Sequence, residues 1–92
     1  MTVRFIIRGP ISKRLGSNSL KVEIQKDSTL EMALAHLIGS NAEVAKEWNT
    51  PESINREALV LINEQDVEIL NGLDTALNSN DEIVILPLIH GG

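Results

Sequence analysis

Residues 80–92 read Asn80-Asp81-Glu82-Ile83-Val84-Ile85-Leu86-Pro87-Leu88-Ile89-His90-Gly91-Gly92, and this stretch decides the fold and the chemistry to look for. Asn80-Asp81 closes a turn signal that opens at Asn78-Ser79, and an apolar strand-like run follows from about Glu82 to Leu86. Pro87 has no N–H and belongs where no ladder bond is needed, so pairing is expected to fail around it and the chain to leave the sheet. The four residues beyond Leu88 reach about 13 Å if extended, at about 3.3 Å per residue, which is long enough to enter a partner. Gly91-Gly92 has two readings. As chemistry, glycine leaves a terminal carboxylate unhindered and lets the backbone lie flat in a narrow cleft; with a pKa near ~3.5 that carboxylate is an anion, and a poor electrophile until activated. On the plainer reading, small residues are what a chain end tolerates.

The rest of the chain offers little competing chemistry. With 92 residues, a single domain over 1–92 with a flexible tail from about residue 88 is expected. Phe5 and Trp48 are the only aromatic residues, so the core must be built from Ile, Leu and Val, which pack well between strands and one or two helices. There is no cysteine, which removes disulfides, thiolate metal sites and a cysteine nucleophile together. His36 and His90 stand alone, so no metal site is expected. No long apolar run suggests a membrane span, and Met1-Thr2-Val3-Arg4-Phe5 lacks the layout of a signal peptide; a cytoplasmic location is the expectation.

The formal net charge of −5 argues against nucleic acid as a direct partner. Its distribution says more. Residues 1–26 hold Arg4, Arg8, Lys13, Arg14, Lys21 and Lys26 against Glu23 alone, whereas residues 27–92 hold only Lys46 and Arg56 against twelve acids. This reads either as a polarised surface that steers docking or as the solvent faces of amphipathic strands.

Val3, Phe5 and Ile7 alternate as in a half-buried strand, Gly9-Pro10 stops it, and Leu20, Val22 and Ile24 alternate again after a polar stretch. The two read as an antiparallel hairpin. Ser28-Thr29-Leu30-Glu31 fits a capping box with Ser28 as the cap. A helix should follow, with Leu30, Ala33, Leu34, Leu37 and Ile38 on one apolar face, Gly39 at its left-handed end and His36 in solvent. Val44 and Trp48, one turn apart, predict a second short helix ended by Thr50-Pro51. Ala58-Leu59-Val60-Leu61-Ile62 reads as a strand covered on both faces or nearly so. Asn63 to Asp66 turn the chain, Val67 and Ile69 predict a short strand, and Asn71-Gly72 is another turn. The fold class is therefore α+β, with a mixed four- to five-stranded sheet, one main helix across one face and a short second helix.

The C-terminal third resembles the sulfur-carrier and ubiquitin-related branch of the β-grasp (ubiquitin-like) superfamily. The resemblance rests on Leu61-Ile62-Asn63 and its turn, Leu73-Asp74-Thr75-Ala76-Leu77, Asn80-Asp81-Glu82-Ile83 leading to Ile85-Leu86-Pro87, and His90-Gly91-Gly92. Small subunits of molybdopterin synthase have a comparable strand, turn, proline and terminal Gly-Gly in the same order, usually with a small residue before the glycines. His90-Gly91-Gly92 looks instead like the end of the ubiquitin-related modifiers that support tRNA thiolation and can be attached to proteins. The resemblance implies a carrier, or a substrate-like subunit of an enzyme complex, rather than an enzyme. In it, the Gly92 carboxylate is adenylated by a ubiquitin-activating-type partner using ATP and converted to a thiocarboxylate, with Gly91 threading the active site. Sulfur would then pass to molybdopterin synthesis or tRNA thiolation. The alternatives are a modifier joined through Gly92 to target lysines, and a β-grasp interaction domain that is never activated.

The chain itself is expected to bind no cofactor. Pro87, Leu88, Ile89 and His90 are the expected partner-binding residues, beside an apolar patch at Ile83, Ile85, Leu88 and Ile89 with the basic first hairpin next to it. His90 reads as partner fit, a titratable group near the reacting carbon, or a solvated tail residue.

Overall fold

The computed structural model describes residues 1–88 of the 92. Strand β1 spans Thr2–Ile7 and β2 spans Ser19–Glu23, paired antiparallel with Val3 opposite Val22 and Phe5 opposite Leu20. Between them, in what the sequence reads as a polar stretch, Ile11–Leu15 forms a short helix, α1. Its local signals are Pro10 ahead of it, the four-residue spacing of Ile11 and Leu15, and Gly16 after it at φ 73°, the left-handed end that glycine adopts without strain. Ile11 drops into the core, which rewards a turn of helix too short to be stable alone.

The main helix, α2, spans Leu30–Ser40 and buries Leu30, Ala33, Leu34 and Leu37, as the spacing predicts. Its cap is Thr29, whose hydroxyl accepts from the Met32 N–H at 3.4 Å, and not Ser28. Ser28 is otherwise engaged: it is buried, its hydroxyl donates to the Gln25 carbonyl, and its own carbonyl accepts from the Leu77 N–H. The Ser28 capping box is therefore absent. Gly39 does not end α2 either, because Asn41 directly caps the next helix, α3 (Ala42–Glu47), accepting from the Glu43 and Val44 N–H groups at 3.0 and 3.1 Å. α3 ends at Glu47 with Trp48 as its extended cap, before Thr50-Pro51, which instead starts α4 (Pro51–Glu57). The capping box belongs here, with Thr50 and Ser53 bonded reciprocally and Pro51 in the first turn. The described residues thus hold four helices where two were expected.

Strand β3 spans Ala58–Ile62, β4 is Gln65–Asp66, and β5 spans Glu82–Pro87. The short strand falls at Gln65–Asp66, opposite Ile62 and Leu61, while Val67–Ile69 is a 3-10 turn, since burying Val67 pulls the chain out of the ladder. The sheet order is β2-β1-β5-β3-β4, with β5 parallel to β1 and antiparallel to β3. The hairpin and the last strand are neighbours. Val3, Phe5, Ile7, Val60, Ile62, Ile83 and Ile85 join Leu30, Leu34, Leu37, Val44, Trp48 and Ile54 in one core between sheet and helices.

Candidate functional site

The end of β5 is fixed from both sides. Leu86 lies opposite Leu59 and Pro87 opposite Ala58, and the Leu88 N–H donates to the Glu57 carbonyl at 3.0 Å. Pairing therefore continues past Pro87 instead of failing at it. Successive N–H groups of a strand point to opposite edges, so with Leu88 donating toward β3, the Pro87 nitrogen faces β1. The bonded register with β1 ends at Ile7 opposite Ile85, followed by the Arg8 N–H on the Ile85 carbonyl. The proline sits where the ladder stops and a donor is not needed. Gly9 makes room for its ring: at φ 87° it turns the chain away, and a Cβ there would lie 3.3 Å from the Pro87 Cγ.

The start of β5 is locked as well. Asn63 Nδ2 donates to Asp81 Oδ1 at 2.8 Å, Asp81 Oδ2 accepts from the Asn78 N–H at 2.7 Å, and Asn63 Oδ1 accepts from the Glu82 N–H at 2.9 Å. These bonds join the two turns that flank β3 and β5. They set the register that delivers Leu88 to its place.

Leu88 is 52% exposed, so of the expected partner-binding residues it presents an apolar side chain to solvent, and Pro87 is half-buried beside it. Ile89, His90, Gly91 and Gly92 lie outside the described residues. Ile83 and Ile85 do not belong to the surface patch, since both are wholly buried. The outward residues of β5 are Val84 and Leu86, in phase with Leu88, and the register sets Ile6, Leu59 and Leu61 beside them. All five are half-buried on the face that the helices leave open. A run as evenly apolar as Ile83–Leu86 carries no alternation to choose its face, and a shift of one residue exchanges inside for outside. The missed signal was Ile6 between Arg4 and Arg8 in β1, whose phase the register transmits to Val84.

The charges divide across this face. Arg4 and Lys21 are opposite one another and exposed, with Arg8 following on β1; Asp66 lies opposite Leu61 at the other side, and Glu57 beside Leu88. Glu82 opposes Arg4 near the middle. The basic hairpin therefore does flank the apolar face. Elsewhere, Arg14 bridges α1 to Glu43 and Glu47 of α3 at 3.3 and 2.7 Å, an exposed network worth little to stability. His36 is exposed on α2, as expected. Among the described residues no group of three or more His, Cys, Asp or Glu could hold a metal ion, and no helix is long and apolar enough to cross a membrane.

A sequence profile of the ThiS family matches residues 7–92. The ubiquitin-related modifier 1 homolog of Drosophila willistoni is 42% identical over 41 residues, 45% of this chain and 41% of that protein, so the match spans less than half of the relative's length. Among solved structures, SAMP1 from Haloferax volcanii superposes with a TM-score of 0.77 at 19% identity, covering 100% of both chains. A chain of the BexX/CysO complex from Amycolatopsis orientalis gives 0.73 at 24% identity, covering 98% of this chain and 99% of that one. The fold is the β-grasp.

Proposed function

The chain belongs to the ThiS family, a β-grasp family of sulfur carriers and ubiquitin-related modifiers, and we propose that it acts as a sulfur carrier through Gly92. The Gly92 carboxylate attacks the α-phosphorus of ATP in the active site of a ubiquitin-activating-type enzyme, releasing pyrophosphate and leaving an acyl-adenylate. Hydrosulfide from a sulfide-level donor then attacks the acyl carbon, AMP leaves and a proton is released, and the tail holds a thiocarboxylate whose sulfur is a nucleophile or sulfide source. The chain itself supplies no catalytic side chain and binds no cofactor in this scheme; ATP is the partner's substrate. Sulfur passes on to molybdopterin synthesis, with a larger synthase subunit as partner, or to tRNA thiolation.

One observation carries the reading: β5 pins Leu88 at the rim of an exposed apolar face, so a partner that covers Ile6, Leu59, Leu61, Val84 and Leu86 meets residues 89–92 directly. The chain of like fold in the BexX/CysO complex supports a docked partner. Leu88→Asp is expected to weaken activation while leaving the melting temperature unchanged. The deciding measurement is intact mass after incubation with the activating enzyme, ATP and a sulfur donor. A gain equal to one oxygen-to-sulfur exchange is expected, and it must vanish when Gly92 is deleted; a gain that persists in the deletion, or none in the full chain, overturns the reading.

A second reading is favoured by the likeness to the ubiquitin-related modifier 1 homolog: the same activated carboxylate forms an isopeptide with target lysines. It predicts Gly-Gly remnants on lysine in digests of the native cells made with a protease that cuts between His90 and Gly91. Their absence in normal and oxidative growth alike removes it. An unactivated interaction domain predicts instead that deleting Gly92 changes nothing.

A further inference from the structure

We propose that a second copy of this chain occupies the outer sheet face, forming a weak two-fold dimer that covers the surface an activating enzyme needs. That consequence rests on the carrier reading; the dimer itself does not. The centre of the face is apolar, formed by Ile6, Leu59, Leu61, Val84 and Leu86, all half-buried. Its β2-β1 side carries Arg4, Arg8 and Lys21, and its β3-β4 side carries Glu57 and Asp66. The exceptions do not upset the division: the Met1 ammonium lies 3.9 Å from Glu23, Glu82 lies in the middle opposite Arg4, and Arg56 precedes Glu57 on α4. A face with opposite charge on its two sides is complementary to itself under one operation. A two-fold axis parallel to the strands lays the basic side of each copy over the acidic side of the other and sets apolar centre on apolar centre. An axis across the strands would instead set like charges together. The dyad parallel to the strands also closes the assembly at two copies, with the sheets about 10 Å apart as in aligned sandwiches.

Size decides how strong the pair is. Five strands about 4.8 Å apart, with six residues rising about 3.3 Å each, outline roughly 20 × 20 Å. About 400 Å² per copy is half of the ~800 Å² typical of stable interfaces. An interface of this size belongs with weak, transient encounters, so the dimer is expected to yield to an enzyme with a larger footprint.

Sedimentation velocity from about 20 µM to about 1 mM in low salt tests this, since charge pairing is screened beyond ~10 Å at 0.1 M. The wild-type sedimentation coefficient should rise with concentration toward the dimer value. Arg8→Glu with Lys21→Glu should shift that rise at least tenfold in concentration, and so should Glu57→Lys with Asp66→Lys, while circular dichroism confirms that both remain folded. Mixing the two variants should restore association, because each reversed side then faces its complement. A wild type still monomeric at about 1 mM overturns the proposal, and so does a mixture that associates no better than its parts. Neither result touches the mass test for the carrier reading.

Discussion

In the middle of β5 the two faces of the sheet carry the same kind of residue and differ in what covers them. Ile85 is wholly buried against the helices, and Val84, its neighbour in the chain, is half-exposed on the open face. Both are β-branched and both pair in the same ladders, with β1 on one side and β3 on the other. Residue type places them in a strand, and phase alone assigns one to the core and the other to the surface.

Ile85→Ala is the largest blow to this division. It should cost about 2–5 kcal/mol by urea unfolding, through lost contacts and a cavity; a loss under about 1 kcal/mol would remove Ile85 from the core. Val84→Asp should leave stability within about 1 kcal/mol of the parent while weakening enzyme affinity about tenfold, or about 1.4 kcal/mol. If stability fell as far as for Ile85→Ala, the two faces would not be distinct. Gly9→Ala should cost about 1–2 kcal/mol because of its left-handed backbone, read as a lower melting temperature with a normal sheet signature. A neutral result would show that Gly9 is not held in the left-handed conformation that turns the chain away from Pro87. His36→Ala should fall within about 0.5 kcal/mol of neutral and leave adenylation unchanged. Impaired adenylation would move the docking surface from the outer sheet face to the helix layer.

Much of this was legible in the sequence because local periodicity and global placement agree. The hairpin, the apolar stripe of α2 and the pair Val44 and Trp48 follow from spacing, and the strands at 58–62 and 82–86 from unbroken apolar runs between turn signals. What was not legible depended on partners far along the chain. Ser28 yields the cap of α2 to Thr29 with its hydroxyl on the Gln25 carbonyl and its own carbonyl tied to Leu77, 49 residues on, and Val67 leaves the ladder for the core. The apolar patch was placed one residue out of phase because β5 carries no polar residue between Ile83 and Leu86 to mark its outside. Leu88 was recognised, and the residues that flank it on the surface were not.

The hydrogen bond from the Leu88 amide to Glu57 sets the zero of a ruler. On the proposal that Gly92 carries the reacting carboxylate, four residues measured from that point span at most about 13 Å, so an activating enzyme seated on the outer face would need its reacting phosphorus within that depth of the Leu88 rim. Lengthening the tail by one glycine would move its end by about 3.3 Å, enough to exchange one class of acceptable pocket for another.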